Sequence, residues 1–340
     1  MNSNKEKNNS HKRVHKKLQS KRQQIKTQIF NLKWLYDFNN KIYFTKMLNV
    51  NMSLLNPSTP AFEPLSFKFI PPQQNESMIK NVWKHNLKSE ILIISNLLEN
   101  YPYVAMDTEF PGIIVKAQGE LRDIQYQNIR HNVDRLKLIQ VGITLSDGQG
   151  NFPSGICTWQ FNFDFDLSSD AYSEDSIQLL RQSGIDFDKH ATDGISHFEF
   201  AEFFTVSGLC LNEDISYLTF HSGYDFAYLL KTVTNQKLPE TQDEFYKQLS
   251  LYFPVFFDIK FMVQGIDKYR GGLSRIAEEV GVRRFGRMHQ AGSDSLVTLE
   301  TFFTIKNEEF SEVSLEKYAN TICGLAPNSQ NQEFSPSFAR

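Results

Sequence analysis

A chain of 340 residues with 40% hydrophobic and 13% aromatic content, 29 Phe among them, can bury a sizeable core, which excludes a disordered polymer and fits one large domain or a domain with an appendage. The formal net charge of −3 conceals an asymmetry: residues 1–50 carry 12 Lys+Arg against Glu6 and Asp37, whereas the remainder carries 24 Lys+Arg against 37 Asp+Glu, a basic arm on an acidic body. Three dispersed cysteines without C-x-x-C spacing argue against a disulfide framework or zinc ribbon and for a reducing intracellular setting, and neither a membrane span nor a secretory leader is expected.

Residues 1–77 read as a basic tail followed by a Pro-containing linker, with Pro57, Pro60, Pro64, Pro71 and Pro72 in the latter. The tail suits nucleic-acid or nuclear-import contact, or a flexible extension without a defined role. A domain is expected over 78–310 and a C-terminal tail over 311–340. Apolar residues at Ile79, Val82, Trp83, Leu87, Ile91, Ile94 and Leu98 have helical spacing. Strands are predicted at 103–110, 137–145 and 156–163, forming an antiparallel meander with turns at Asp147-Gly148 and Pro153–Gly155. Helices follow near 172–182 and 196–206, closed by Gly184 and Gly208. A fourth strand at 217–223 leads into a helix over 224–233. A fifth is predicted at 256–263, with helices at 272–280 and 292–306. Strands first in hairpins and then alternating with helices predict an α/β domain, a mixed five-stranded sheet flanked by helices in the order of a ribonuclease-H-like fold.

Asp107 and Glu109 lie two apart in an otherwise apolar strand, so both carboxylates project from one face. Two like charges held together there are costly unless a cation compensates, and carboxylate oxygens suit Mg²⁺ or Mn²⁺. A D-x-E pair exposed at a strand end is the alternative. Asp225 and Asp294 each open a helix, where an Asp is either a cap or a ligand. His289 precedes Asp294 by five residues, which on a continuous helix would separate the side chains by about 140°. The two converge only if His289 stands in the loop before the helix, where it could accept a proton from water. Such a set suits two-metal phosphodiester hydrolysis.

The segments IKNVWKHNLKSE (79–90), YVAMDTEFPGI (103–113), TWQFNF (158–163), SGIDFDKH (183–190), FHSGYDF (220–226), YFPVFFDIKFM (252–262) and HQAGSDSLVT (289–298) resemble the DEDD (DEDDh) superfamily of 3′ exonucleases, and within it the Caf/Pop-type poly(A) deadenylase subunit of the CCR–NOT complex. The resemblance runs from about residue 78 to 306. It implies an mRNA deadenylase, a 3′-to-5′ exoribonuclease that releases 5′-AMP using two divalent ions, Mg²⁺ or Mn²⁺. Asp107, Glu109 and Asp294 would hold the ion that activates water, Asp107 and Asp225 the second, and His289 would be the general base. It also implies a NOT scaffold partner, a leucine-rich-repeat deadenylase partner, Tob-type adaptors, no membrane, and residence in cytoplasm and nucleus. The first 77 residues match nothing in the pattern, and the loop 114–130 is shorter than the family's. Phe110 and Leu273 are candidates to flank the terminal nucleotide, each with core packing as the alternative. Arg283, Arg284 and Arg287 could meet phosphates or form a solvated face. The rival functions are a DEDD exonuclease for other RNA or single-stranded DNA, and a non-catalytic scaffold of the same complex.

Overall fold

The computed structural model describes residues 78–116 and 123–325. The basic tail and linker of residues 1–77, the loop residues 117–122 and residues 326–340 lie outside them. Among the described residues, six strands form one mixed sheet. They are β1 (Ile79–Val82), β2 (Tyr103–Glu109), β3 (Gln140–Ser146), β4 (Thr158–Asn162), β5 (Ser216–Thr219) and β6 (Val255–Asp258). The order across the sheet is β1-β4-β3-β2-β5-β6. The expected meander is present, since β2 pairs antiparallel with β3 and β3 with β4. The outer pairings β1–β4, β2–β5 and β5–β6 are parallel. This is the ribonuclease-H-like α/β arrangement, with six strands in place of the expected five.

The sixth strand comes from the segment read as helical from Ile79. Ile79–Val82 pairs with Thr158–Phe161, and the helix α1 spans only Leu87–Leu97. The break is made by Asn86, whose side chain accepts from the Trp83 backbone N–H at 2.7 Å and donates to the Asn81 carbonyl at 3.1 Å. Helical spacing ran straight through because a four-residue edge strand is too short to display its own period of two. A second correction concerns the loop 114–130. Residues Ile124–Val133 form α2, burying Tyr126, Ile129 and Val133 at intervals of three and four. A third concerns the fifth predicted strand, 256–263, which is strand only as far as Asp258 and then turns into a short helix over Ile259–Met262.

The remaining helices are α3 (Glu174–Gln182), α4 (Phe187–Asp193), α5 (His197–Val206), α6 (Gly223–Thr234), α7 (Gln242–Tyr252), α8 (Ile259–Met262), α9 (Leu273–Glu279) and α10 (Ala291–Glu309). Neither α4 nor α7 was expected. The N-cap Asp186 accepts from Lys189 N–H at 3.1 Å, and Thr241 accepts from Glu244 N–H at 3.3 Å. Of the segment set apart as a tail from residue 311, residues 311–325 pack on the same body. Asn320 and Phe256 exchange two hydrogen bonds of 2.8 and 3.0 Å, and Ile322 and Leu325 are buried. No helix among the described residues is long and apolar enough to cross a membrane.

The long helix α10 lies across β2, β3, β4 and β5. Ala105 and Leu218 of the sheet share one apolar cluster with Leu299, Phe302 and Phe303 of α10. The first turn of α10 approaches β3 so closely that a Cβ on Gly142 would collide with the Ala291 carbonyl. Gly142 thus serves as a seat for the helix. Gly142→Ala is expected to lower stability by roughly 1–3 kcal/mol through overpacking. Urea unfolding checks this, and a midpoint equal to that of the natural chain would refute the seating.

Candidate active site

Three of the expected acids meet where β2 ends and α10 begins. Alternation along β2 puts residues 105, 107 and 109 on one face. Ala105 packs in the α10 cluster, so Asp107 and Glu109 face the start of that helix, which carries Asp294 in its first turn. One carboxylate oxygen from each of Asp107, Glu109 and Asp294 lies within 4.8 Å of the others. Asp225 comes from the other side of the strand. It sits in the first turn of α6 and accepts a 2.6 Å hydrogen bond from the Thr108 hydroxyl. It is near enough that its charge raises the pKa of both Asp107 and Glu109.

His289 stands in the loop before α10, as convergence with Asp294 requires, in a left-handed backbone conformation at φ +58°. Its backbone N–H donates to Asp294 Oδ2 at 2.9 Å. The other oxygen, Oδ1, accepts from Arg284 Nη1 at 2.6 Å. The same guanidinium reaches Ser293 Oγ and Ser274 Oγ, each at 3.1 Å. The sequence leaves Arg284 as a phosphate contact or part of a solvated face. It lies against the Asp294 carboxylate, a pairing that ten residues of sequence separation does not advertise. Thr108, hidden between the two acids of the motif, was also missed.

The two candidate nucleotide contacts are placed differently. Phe110 is half-buried and stacks on Tyr224 and Tyr228, with ring centroids 5.0 and 5.1 Å away. Leu273 is half-buried at the first position of α9, beside the Ser274 that touches Arg284.

Crowding governs the electrostatics. Asp107 is held well above the ordinary carboxylate range, first by enclosure, then by repulsion from Asp294, Asp225 and Glu109, with Arg284 pulling the other way. Glu109 is raised by enclosure and by Asp294 and Asp225. Enclosure pushes Asp225 up to about 6 against the hydrogen bond from Thr108. Carboxylates so arranged call for positive charge, and an all-oxygen donor set suits a hard divalent cation. Asp107, Glu109 and Asp294 therefore fit an ion.

An α/β ribonuclease-H-like domain with this carboxylate cluster at the end of its central strand defines a nuclease of the DEDD type. The model of the CAF1 family ribonuclease matches residues 82–213. Poly(A) ribonuclease pop2 of Schizosaccharomyces pombe is 47% identical over 252 residues, covering 73% of this chain and 75% of that protein. A CCR4-associated factor 1 homolog of Arabidopsis thaliana is 48% identical over 256 residues, covering 73% and 93%. A solved structure of S. pombe Pop2p with Mg²⁺ and Mn²⁺ bound aligns with a TM-score of 0.70 at 47% identity, covering 72% of this chain and 99% of that one. A yeast CAF1 chain co-crystallised with the NOT1 MIF4G domain aligns with a TM-score of 0.64 at 33% identity, covering 75% and 100%. The chain belongs to the CAF1 ribonuclease family.

A carboxyl with a raised pKa holds its proton more tightly in the folded chain than in the unfolded one. Stability then falls as pH rises from the ordinary carboxylate range, roughly pH 4, through about 6 for Asp225, and the raised Asp107 and Glu109 act in the same direction. In chelator, the urea midpoint is expected to drop as pH rises from about 4 through about 6. Asp107→Asn should flatten that slope, and added Mg²⁺ should restore the midpoint at the alkaline end. A slope unchanged in Asp107→Asn would contradict the crowding.

Proposed function

We propose that this protein is an mRNA deadenylase, a 3′-to-5′ exoribonuclease that shortens poly(A) and releases 5′-AMP as a catalytic subunit of the CCR–NOT complex. One observation carries the catalytic half of that reading: Asp107, Glu109 and Asp294 converge within 4.8 Å, with Asp225 in electrostatic reach. A scaffold that had given up catalysis would have no use for a cluster so unfavourable to burial. The poly(A) substrate rests on membership in a family that includes Poly(A) ribonuclease pop2.

Asp107, Glu109 and Asp294 would hold one divalent ion, and Asp107 with Asp225 a second, Mg²⁺ or Mn²⁺ in each case. Such ions supply Lewis-acid stabilisation of charge developing on the phosphoryl oxygens. The chain's own residues supply placement. Thr108 fixes the Asp225 carboxylate through its 2.6 Å hydrogen bond. The His289 backbone N–H orients Asp294, and that bond fixes the His289 backbone beside the acid. The His289 imidazole would accept a proton from the attacking water. Phe110, backed by Tyr224 and Tyr228, and Leu273 would flank the terminal base.

The yeast CAF1 chain co-crystallised with the NOT1 MIF4G domain supports a NOT scaffold as partner. A leucine-rich-repeat nuclease, Tob-type adaptors and work in both cytoplasm and nucleus belong to the same proposal. The test is shortening of labelled oligo(A) in Mg²⁺ or Mn²⁺, with oligo(U) and single-stranded DNA alongside. Asp107→Ala and Asp225→Ala should each reduce the rate by more than about 100-fold, beyond the loss typical of groups that merely support a ligand. His289→Ala should reduce it by about 10²–10⁴-fold. Full activity in Asp107→Ala would end the catalytic assignment, and equal rates on all three substrates would end the poly(A) one.

A further inference from the structure

Beside the acids lies a polar cleft of about 490 Å³ that the proposed chemistry leaves unused. Three of its lining residues tie it to the catalytic edge. Gln140 pairs in register with Glu109, Gln290 follows His289, and Ser293 shares the Arg284 guanidinium with Asp294. The far wall is the turn from α3 into α4, residues 183–190.

Two cations border the cleft, Lys189 and Arg287, against one acid, Asp186. The Asp186 carboxylate is committed to capping α4. Burial holds His190, which also lines the cleft, below its ordinary pKa, so near neutral pH it adds no charge. The Lys189 ammonium is steadied 4.3 Å from the centre of the Trp83 ring. A Cβ on Gly184 would come within 2.7 Å of an Arg287 guanidinium nitrogen, and φ +96° there favours glycine, so the turn leaves that guanidinium its place. Neither cation forms an ion pair with a carboxylate of the described residues.

A nucleic-acid strand whose end sits at the acids must continue over surface contiguous with them. Residues 51–340 carry 37 acids against 24 bases, so most of the body repels phosphate. The cleft is contiguous, carries cations, and has the volume of a small-ligand site. Building on the ribonuclease reading above, we propose that it receives the nucleotide immediately 5′ of the scissile phosphodiester, with Lys189 and Arg287 meeting the backbone phosphate beyond it.

The test uses the full chain and the double variant Lys189→Gln/Arg287→Gln. Two substrates are compared: oligo(A), and the 4-nitrophenyl ester of AMP, which offers a cleavable phosphodiester but no second nucleoside. The preference for oligo(A) over the ester, as a ratio of kcat/KM, should fall about tenfold. The dependence of log KM for oligo(A) on log salt should shallow by about 0.7 per lost phosphate contact. Lys189→Arg/Arg287→Lys should recover both. An unchanged ratio and salt slope, or equal losses on the two substrates, would overturn the proposal. If the natural chain cleaves neither substrate, the nuclease reading has failed separately. Anisotropy of labelled oligo(A) on Asp225→Asn, with and without the double variant, then decides: weaker binding in the double variant supports the cleft, and equal binding refutes it.

Discussion

The docking of α10 onto β3 is the interaction on which the site depends. Asp107 and Glu109 are delivered by the central strand, but Asp294 and His289 arrive only if the first turn of this helix is held at one height above the sheet. Gly142, paired with Asp107 across the β2–β3 ladder, permits the approach. Two amides from the sheet then secure it. Gln140 Oε1 accepts from the Ala291 N–H at 3.2 Å, and Gln160 Oε1 accepts from the Gly292 N–H at 3.0 Å. These backbone donors at the helix start would otherwise have no partner. Gln290 joins the same network, accepting from the Gln160 amide at 2.9 Å. A side chain at Gly292 would meet Ile79 at 2.9 Å, so β1, the strand that sequence periodicity hides, is also part of the seat.

A comparison of two buried aspartates separates support from chemistry. Asp258 accepts backbone N–H groups from His221, Ser222, Lys260 and Cys323, at 2.8 to 3.1 Å. It thereby fastens the turn into α6, the start of α8 and the C-terminal segment to one point. Its charge is surrounded by donors, as a carboxylate committed to structure should be. Asp225 is carried by the helix that Asp258 fixes, and its carboxylate accepts the hydroxyl of Thr108. Backbone N–H groups of Thr108 and of Asp225 itself add to that bond, and the Asp225 charge acts on Asp107 and Glu109. Burial alone does not distinguish the two residues; the neighbouring acids of Asp225 do.

Much of this was legible in the sequence where local physics decides. The D-x-E pair in an apolar strand, the meander with its turns, and the requirement that His289 stand outside the helix all follow from alternation and helical pitch. What was not legible depends on contacts between distant segments. β1 exists because β4 lies beside it, and its four residues carry no period of their own. The strand at 256–263 was overextended because Phe, Ile, Met and Val continue past Asp258, whereas the turn is set by side-chain acceptance of the Lys260 N–H. The Arg284–Asp294 pair is likewise a tertiary fact: a run of arginines before a histidine reads as a solvated face until a neighbouring carboxylate is placed.

The balance of charge explains why the acids can be tolerated in a folded chain. The cluster sits at the end of a strand whose earlier residues Val104, Ala105 and Met106 are buried in the core, so apolar burial offsets repulsion paid locally at the rim. Arg284 then lowers the cost further by facing Asp107 and Glu109 as well as Asp294. It does so without occupying the middle of the cluster, because Ser274 and Ser293 hold the guanidinium to the α9–α10 side. A fixed cation at the edge leaves the carboxylates under-neutralised, and that residual deficit is what a diffusible divalent ion can answer. Full neutralisation by protein cations would give a more stable fold with no affinity for metal, so the instability of the metal-free site and its fitness for hydrolysis have one physical origin.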